Sequence, residues 1–165
     1  MSEWDHFIHK GKLVEELFAQ KHLSDIKWSS NYQNIHEHWD MSGRLPNMNG
    51  DIFKFDVKGL KKKNRGDAST QDKLCWVEGT NVEGRPGWIK GKADYIVFER
   101  EDHWLVVNRE ELFKFTWKKL EENGFPKGKK PYHVYDRSYW MKKDKLTLVP
   151  YEDIEQLEDI TKLEK

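Results

Sequence analysis

Residues 52–58, Ile-Phe-Lys-Phe-Asp-Val-Lys, alternate apolar and charged side chains with a period of two, the pattern of a half-buried β-strand. Phe53, Phe55 and Val57 point to one face, and Lys54, Asp56 and Lys58 to the other, so Asp56 and Lys58 share a face. Upstream, residues 41–50 carry Gly43, Pro46, Asn47, Asn49 and Gly50. That is turn chemistry, and it predicts a wide hairpin-type connection to a strand over residues 35–40 ending at Asp40. If these strands are neighbours, their ends bring two carboxylates and one ammonium together.

At 165 residues the chain reads as one α/β domain over 1–165, with a core at about 10–122 and a C-terminal extension over 123–165. Eight Trp, eight Phe and six Tyr supply apolar area that a hydrophobic fraction of 36% understates. The 29 Lys/Arg and 29 Asp/Glu cancel, so the charge distribution carries more information than the total. Residues 54–65 hold Lys54, Lys58, Lys61, Lys62, Lys63 and Arg65 against Asp56 alone, and residues 151–165 hold six acids against two lysines. A single cysteine, Cys75, excludes an intrachain disulfide or a multi-cysteine zinc site and suggests a reducing, cytoplasmic setting. No signal-peptide core opens the chain, and no stretch approaches the roughly 20 apolar residues of a membrane span.

Taken in order, residues 10–22 have Leu13/Val14 and Leu17/Phe18 at helical spacing, with Glu15 and Glu16 beside that stripe. Residues 29–33 read as a polar loop. His36, His38 and Asp40 would share one strand face, but no second ligand group at zinc-site spacing follows. Past Lys58 comes a basic, glycine-bounded loop in which Lys61, Lys62, Lys63 and Arg65 are candidate phosphate contacts, joined later by Lys90 and Lys92. Residues 74–78 form a third strand carrying Glu78. Residues 93–99 and 103–107 form a hairpin. Asn108 sits as an N-cap with Glu111 three residues on, and Gly124 as a C-cap, which places a helix to about residue 122. A short strand at 146–149 and an acidic helix at 151–160 close the chain. Asp94 either caps main-chain amides or lies beside the site with Lys92. Trp76 and Trp88 read as packing residues rather than base-stacking platforms.

An Asp ending one strand, an Asp-x-Lys on the next and a Glu on a third make a set of hard oxygen donors. Asp40 and Asp56 would hold Mg²⁺, with Glu78 or a main-chain carbonyl completing the shell. Such a cation activates water and offsets charge at a phosphoryl transition state, and a lysine beside two carboxylates stays protonated, which suits Lys58 to charge stabilisation. The same alternation is what any half-exposed strand displays.

His38-Trp39-Asp40, then Phe55-Asp56-Val57-Lys58-Gly59, then Trp76-Val77-Glu78 together resemble the PD-(D/E)xK nuclease superfamily, in which an acid is followed by acid-x-Lys on the adjacent strand. Trp76-Val77-Glu78-Gly79, Gly84-x-x-Gly87-Trp88 and Gly91-Lys92-Ala93-Asp94 look like small phage-type members, and the likeness spans residues 10–107. No Pro precedes Asp40, and the second acid is Asp; both variations occur in the superfamily. The resemblance implies a central mixed β-sheet flanked by helices with a restriction-endonuclease-like core. It also implies a Mg²⁺-dependent DNA endonuclease in which Mn²⁺ substitutes, often a homodimer, working in the host cytoplasm if phage-encoded. It maps the metal-binding acids onto Asp40 and Asp56, the lysine onto Lys58 and the first-helix glutamate onto Glu15, with Glu78 assisting. The alternative is a catalytically inactive nucleic-acid-binding or protein-interaction module on the same fold.

Overall fold

Strand β3 (Ile52–Lys58) forms over the residues whose alternation calls for it. The computed structural model describes residues 3–137 and 142–165, the side chains of residues 3–9 excepted. The chain is mixed α/β and divides into two compact units. One is built from Met1–Leu60, Lys92–Val106 and Thr161–Lys165, the other from Lys61–Gly91 and Val107–Ile160.

The first unit is organised on a six-stranded sheet in the order β1-β2-β3-β5-β6-β9, where β1 is Ser24–Trp28, β2 Met41–Arg44, β5 Tyr95–Glu99, β6 His103–Asn108 and β9 Ile160–Glu164. β1, β2 and β3 run antiparallel in turn, with Met41 opposite Phe55, and β5 then lies parallel to β3 with Lys58 opposite Phe98. Helix α1 (Glu3–His22) begins before the predicted start at residue 10. From each apolar pair it buries the second member's side: Val14 and Phe18 pack on the core, while Leu13 and Leu17 are about half exposed. Phe18 meets Trp104 edge-on at 5.5 Å, and Phe55, Val57, Tyr95 and Val97 complete the apolar cluster. Phe53, Phe55 and Val57 thus share the core face, as their alternation requires.

Three expectations about these elements fail, two of them in this unit and the third in the segment that leads into β9. Residues 35–40 are not a strand: a helical turn covers residues 31–37, and residues 38–40 are irregular. Ser30 and Gln33 form a reciprocal capping box, the Ser30 hydroxyl accepting from the Gln33 amide at 3.2 Å and the Gln33 side chain from the Ser30 amide at 2.9 Å. His36 and His38 therefore do not share a strand face with Asp40. The turn-rich 41–50 stretch contains strand β2, with turns confined to residues 46–50. The C-terminal acidic segment is one helical turn, α3 (Tyr151–Ile154), followed by β9 at the sheet edge.

The second unit holds a separate three-stranded sheet in the order β4-β8-β7, with β4 Leu74–Thr80, β7 Tyr135–Asp136 and β8 Lys145–Pro150. The strand carrying Glu78 is therefore not a member of the β3 sheet. Helix α2 (Arg109–Asn123) has the caps its sequence prescribes: Asn108 Oδ1 accepts from the Glu111 amide at 3.0 Å, and Gly124 takes a left-handed φ of 74°. Its buried face is Leu112, Thr116 and Leu120, leaving Trp117 exposed.

Candidate active site

Asp40 reaches its position because the capped turn ends at His38, whose left-handed φ of 57° redirects the chain into β2. The Asp40 amide donates to the Phe55 carbonyl at 2.8 Å, tying it to β3. Its side chain is fixed at both oxygens: Oδ1 accepts from Asn34 Nδ2 at 2.8 Å, and Oδ2 accepts from the Val57 amide at 2.7 Å. Asp56, next to Val57 on β3, is only 3% exposed. Lys58 Nζ stands 2.9 Å from Asp56 Oδ2. The buried Asp56 carboxylate thus has the Lys58 ammonium as its close charge partner.

Glu15 enters from α1, half-buried, where Glu16 beside it is exposed. Burial pushes the Glu15 carboxyl up to about 8, and the charge and hydrogen bonding of Asp40 add to the rise while Lys58 opposes it. Burial likewise lifts Asp56 to about 7 against the pull of Lys58, with Asp40 contributing upward. Asp40 is thus the shared neighbour of two carboxyl groups that resist ionising. Among the described residues no three His, Cys, Asp or Glu side chains stand in a formed coordination shell. The donor set still suits a hard divalent cation: three carboxylates with lone pairs to spare, and a surplus of negative charge that a cation would relieve.

Glu15 and Asp40 also line a cleft of about 540 Å³ in the first unit, together with Lys12, Trp28, Ser29 and Asn31. Four of the anticipated residues, Glu15, Asp40, Asp56 and Lys58, therefore lie together. Glu78 belongs to the second unit, where its main chain presses on Gly87: a Cβ at Gly87 would sit 2.4 Å from the Glu78 carbonyl oxygen.

The basic candidates are dispersed. Lys61, Lys62, Lys63 and Arg65 are exposed in the loop after β3, in the second unit, where Lys61 bridges to Gln71. Lys90 stands over the Trp117 ring at 5.9 Å, and Lys92 pairs with Glu37 at 3.8 Å. Asp94 caps main chain, accepting from the Lys54 amide at 2.8 Å. Trp88 is buried, and Trp76 donates its indole N–H to the Lys63 carbonyl at 3.0 Å, so both serve packing. Sequence reasoning missed Asn34, which orients Asp40, and Trp28, which lines the cleft. The Ser30-x-x-Gln33 box was the available signal that residues 31–37 turn back toward Asp40.

No family model, curated protein or solved structure matches the chain.

Proposed function

We propose that the chain is a Mg²⁺-dependent endonuclease that hydrolyses DNA phosphodiester bonds. The observation that carries this reading is the meeting of Asp40 with the Asp56–Lys58 ion pair across the β2–β3 boundary, with Glu15 reaching the same point from α1. The arrangement, on a mixed sheet, resembles the acid, acid-x-Lys pattern of the PD-(D/E)xK superfamily and supports this reading.

Asp40 and Asp56 would hold Mg²⁺, with Glu15 as third carboxylate in place of Glu78. When bound, the ion supplies Lewis-acid activation of water and offsets charge on the phosphoryl group. Lys58, beside Asp56, would present its ammonium to the phosphate as negative charge grows there. Asn34 and the Val57 amide hold the Asp40 carboxylate in one orientation, so little reorganisation accompanies binding. The exposed loop bearing Lys61, Lys62, Lys63 and Arg65 is the proposed contact for the DNA backbone.

The test is cleavage of plasmid and single-stranded DNA with Mg²⁺ or Mn²⁺. Lys58→Ala and Asp56→Ala should each slow cutting about 100-fold or more. Variants that cut as fast as the wild type would remove these residues from catalysis. Retained DNA binding by a wild type that never cuts would favour the non-catalytic module.

A further inference from the structure

Strand β1 is the outer edge of the six-stranded sheet, and all five of its residues are exposed. Its last residue, Trp28, pairs with Met41, the residue after Asp40, and the Ser29 amide donates to the Asp40 carbonyl at 2.9 Å. The backbone thereby places an indole one residue from a candidate metal ligand. Trp28 is 46% exposed and lines the same cleft as Glu15 and Asp40. On the capped turn that follows, Tyr32 is 67% exposed, and its ring lies 4.5 Å from that of His36, which holds it in place. Asn31, also in the cleft wall, offers an amide donor and acceptor, and Lys12 offers a cation.

In a duplex the faces of the bases are covered by their neighbours, and only the edges are open in the grooves. An indole face beside a carboxylate cluster is therefore of use only to a base that has left the stack. We infer that the substrate is single-stranded or splayed DNA, with the base next to the scissile phosphate stacked on Trp28. The inference rests on the nuclease reading of the site and names the form of its substrate. Stacking tolerates any base, so little sequence preference accompanies it.

The experiment reads binding and cutting separately. Binding of an end-labelled 15-nucleotide oligo(dT) is followed by fluorescence anisotropy with Mg²⁺ in the Asp56→Asn background, where the strand survives, and a duplex of the same length is the comparison. Trp28→Ala should weaken oligo(dT) binding about tenfold, while Trp28→Phe, which keeps a ring, stays close to the parent. Trp28 is exposed on an edge strand, so circular dichroism should show the fold unchanged. Wild-type cleavage is then timed on oligo(dT) and on duplex. If the wild type cuts both equally and Trp28→Ala changes neither binding nor rate, the strand-form inference fails and the nuclease reading stands. If oligo(dT) binds through Trp28 but neither oligo(dT) nor duplex is ever cut, the platform stands and the nuclease reading fails. If oligo(dT) neither binds nor is cut while the duplex is cut, the strand-form inference fails and the nuclease reading stands; if neither substrate is bound or cut, both fail.

Discussion

Burying the Asp56 carboxylate beside Asp40, with Lys58 as the nearby counter-charge, leaves two negative groups to one positive, and the fold answers that imbalance by retaining protons. With Asp56 raised to about 7 and Glu15 to about 8, the folded chain holds protons that the unfolded chain releases near pH 4. The stability this supplies is complete at the acid end of the window and is lost as pH rises through it. In metal-free buffer, the wild type should therefore lose Tm relative to Asp56→Asn between pH 5 and pH 8. Mn²⁺ should restore more of that loss at pH 8 than at pH 5, because protons compete for the same oxygens. A wild type whose Tm tracks that of Asp56→Asn at every pH would remove the proton-holding cluster. A second residue-scale test concerns Thr147, whose hydroxyl is buried without a hydrogen-bond partner. Thr147→Val removes the unbonded group at nearly constant volume in a strand, and should raise stability by about 1 kcal/mol, read as a shift in denaturant midpoint. A destabilised variant would show that the hydroxyl is satisfied in solution.

At the scale of elements, local chemistry was legible wherever it acts on its own segment. The period-two run of β3 and the Asn108 and Gly124 caps of α2 all operate within a few residues, and each appears where its residues demand. Residues 31–37 also carried a local signal, the Ser30–Gln33 box, but the alternation of Ile35, His36 and Glu37 resembled a strand. What was not legible depends on distant partners. Glu111 does not return to the Asn108 amide. Its carboxylate instead accepts from the Glu158 and Asp159 amides at 2.6 and 3.0 Å, fixing the approach to β9, 47 residues away in sequence. No property of residues 151–160 announces that anchor, and their acidity reads as helix. The glycines near Glu78 illustrate the same division. Gly84 has the positive φ of 82° that a turn explains, whereas Gly87 is required by the proximity of the Glu78 backbone. Gly87→Ala should accordingly destabilise the second unit by about 2 kcal/mol, measurable as a lowered unfolding midpoint. A neutral effect would mean the Glu78 strand yields easily.

Across the whole molecule, the chain passes from one unit to the other after Leu60, Gly91, Val106 and Ile160, so neither unit is a contiguous piece of sequence. The candidate site was readable because its residues fall in the first such stretch: Glu15, Asp40, Asp56 and Lys58 all precede residue 60. Glu78 follows the first passage, and its motif-like position after Asp-x-Lys gave no sign that β4 pairs with β8 instead of with the strands bearing the other acids. A core ending near residue 122 is where a sequence reading places the boundary, but the pairings extend further. β4 needs β8, with Leu74 opposite Pro150 and Val77 opposite Thr147, and the first unit draws Leu163 of β9 against its apolar cluster. Removing residues 123–165 would strip β4 of that partner, delete a strand from the six-stranded sheet and take away the buried Leu148, Val149 and Ile154, uncovering the apolar surface they pack against. Unpaired strand edges and uncovered apolar surface favour association over folding. A chain ending at residue 122 should therefore show no cooperative urea transition and no near-ultraviolet dichroism from its tryptophans, where the full chain should show both. A sharp transition in the truncated chain would mean that the first unit's sheet closes without β9 and that the late strands are additions to an already stable core.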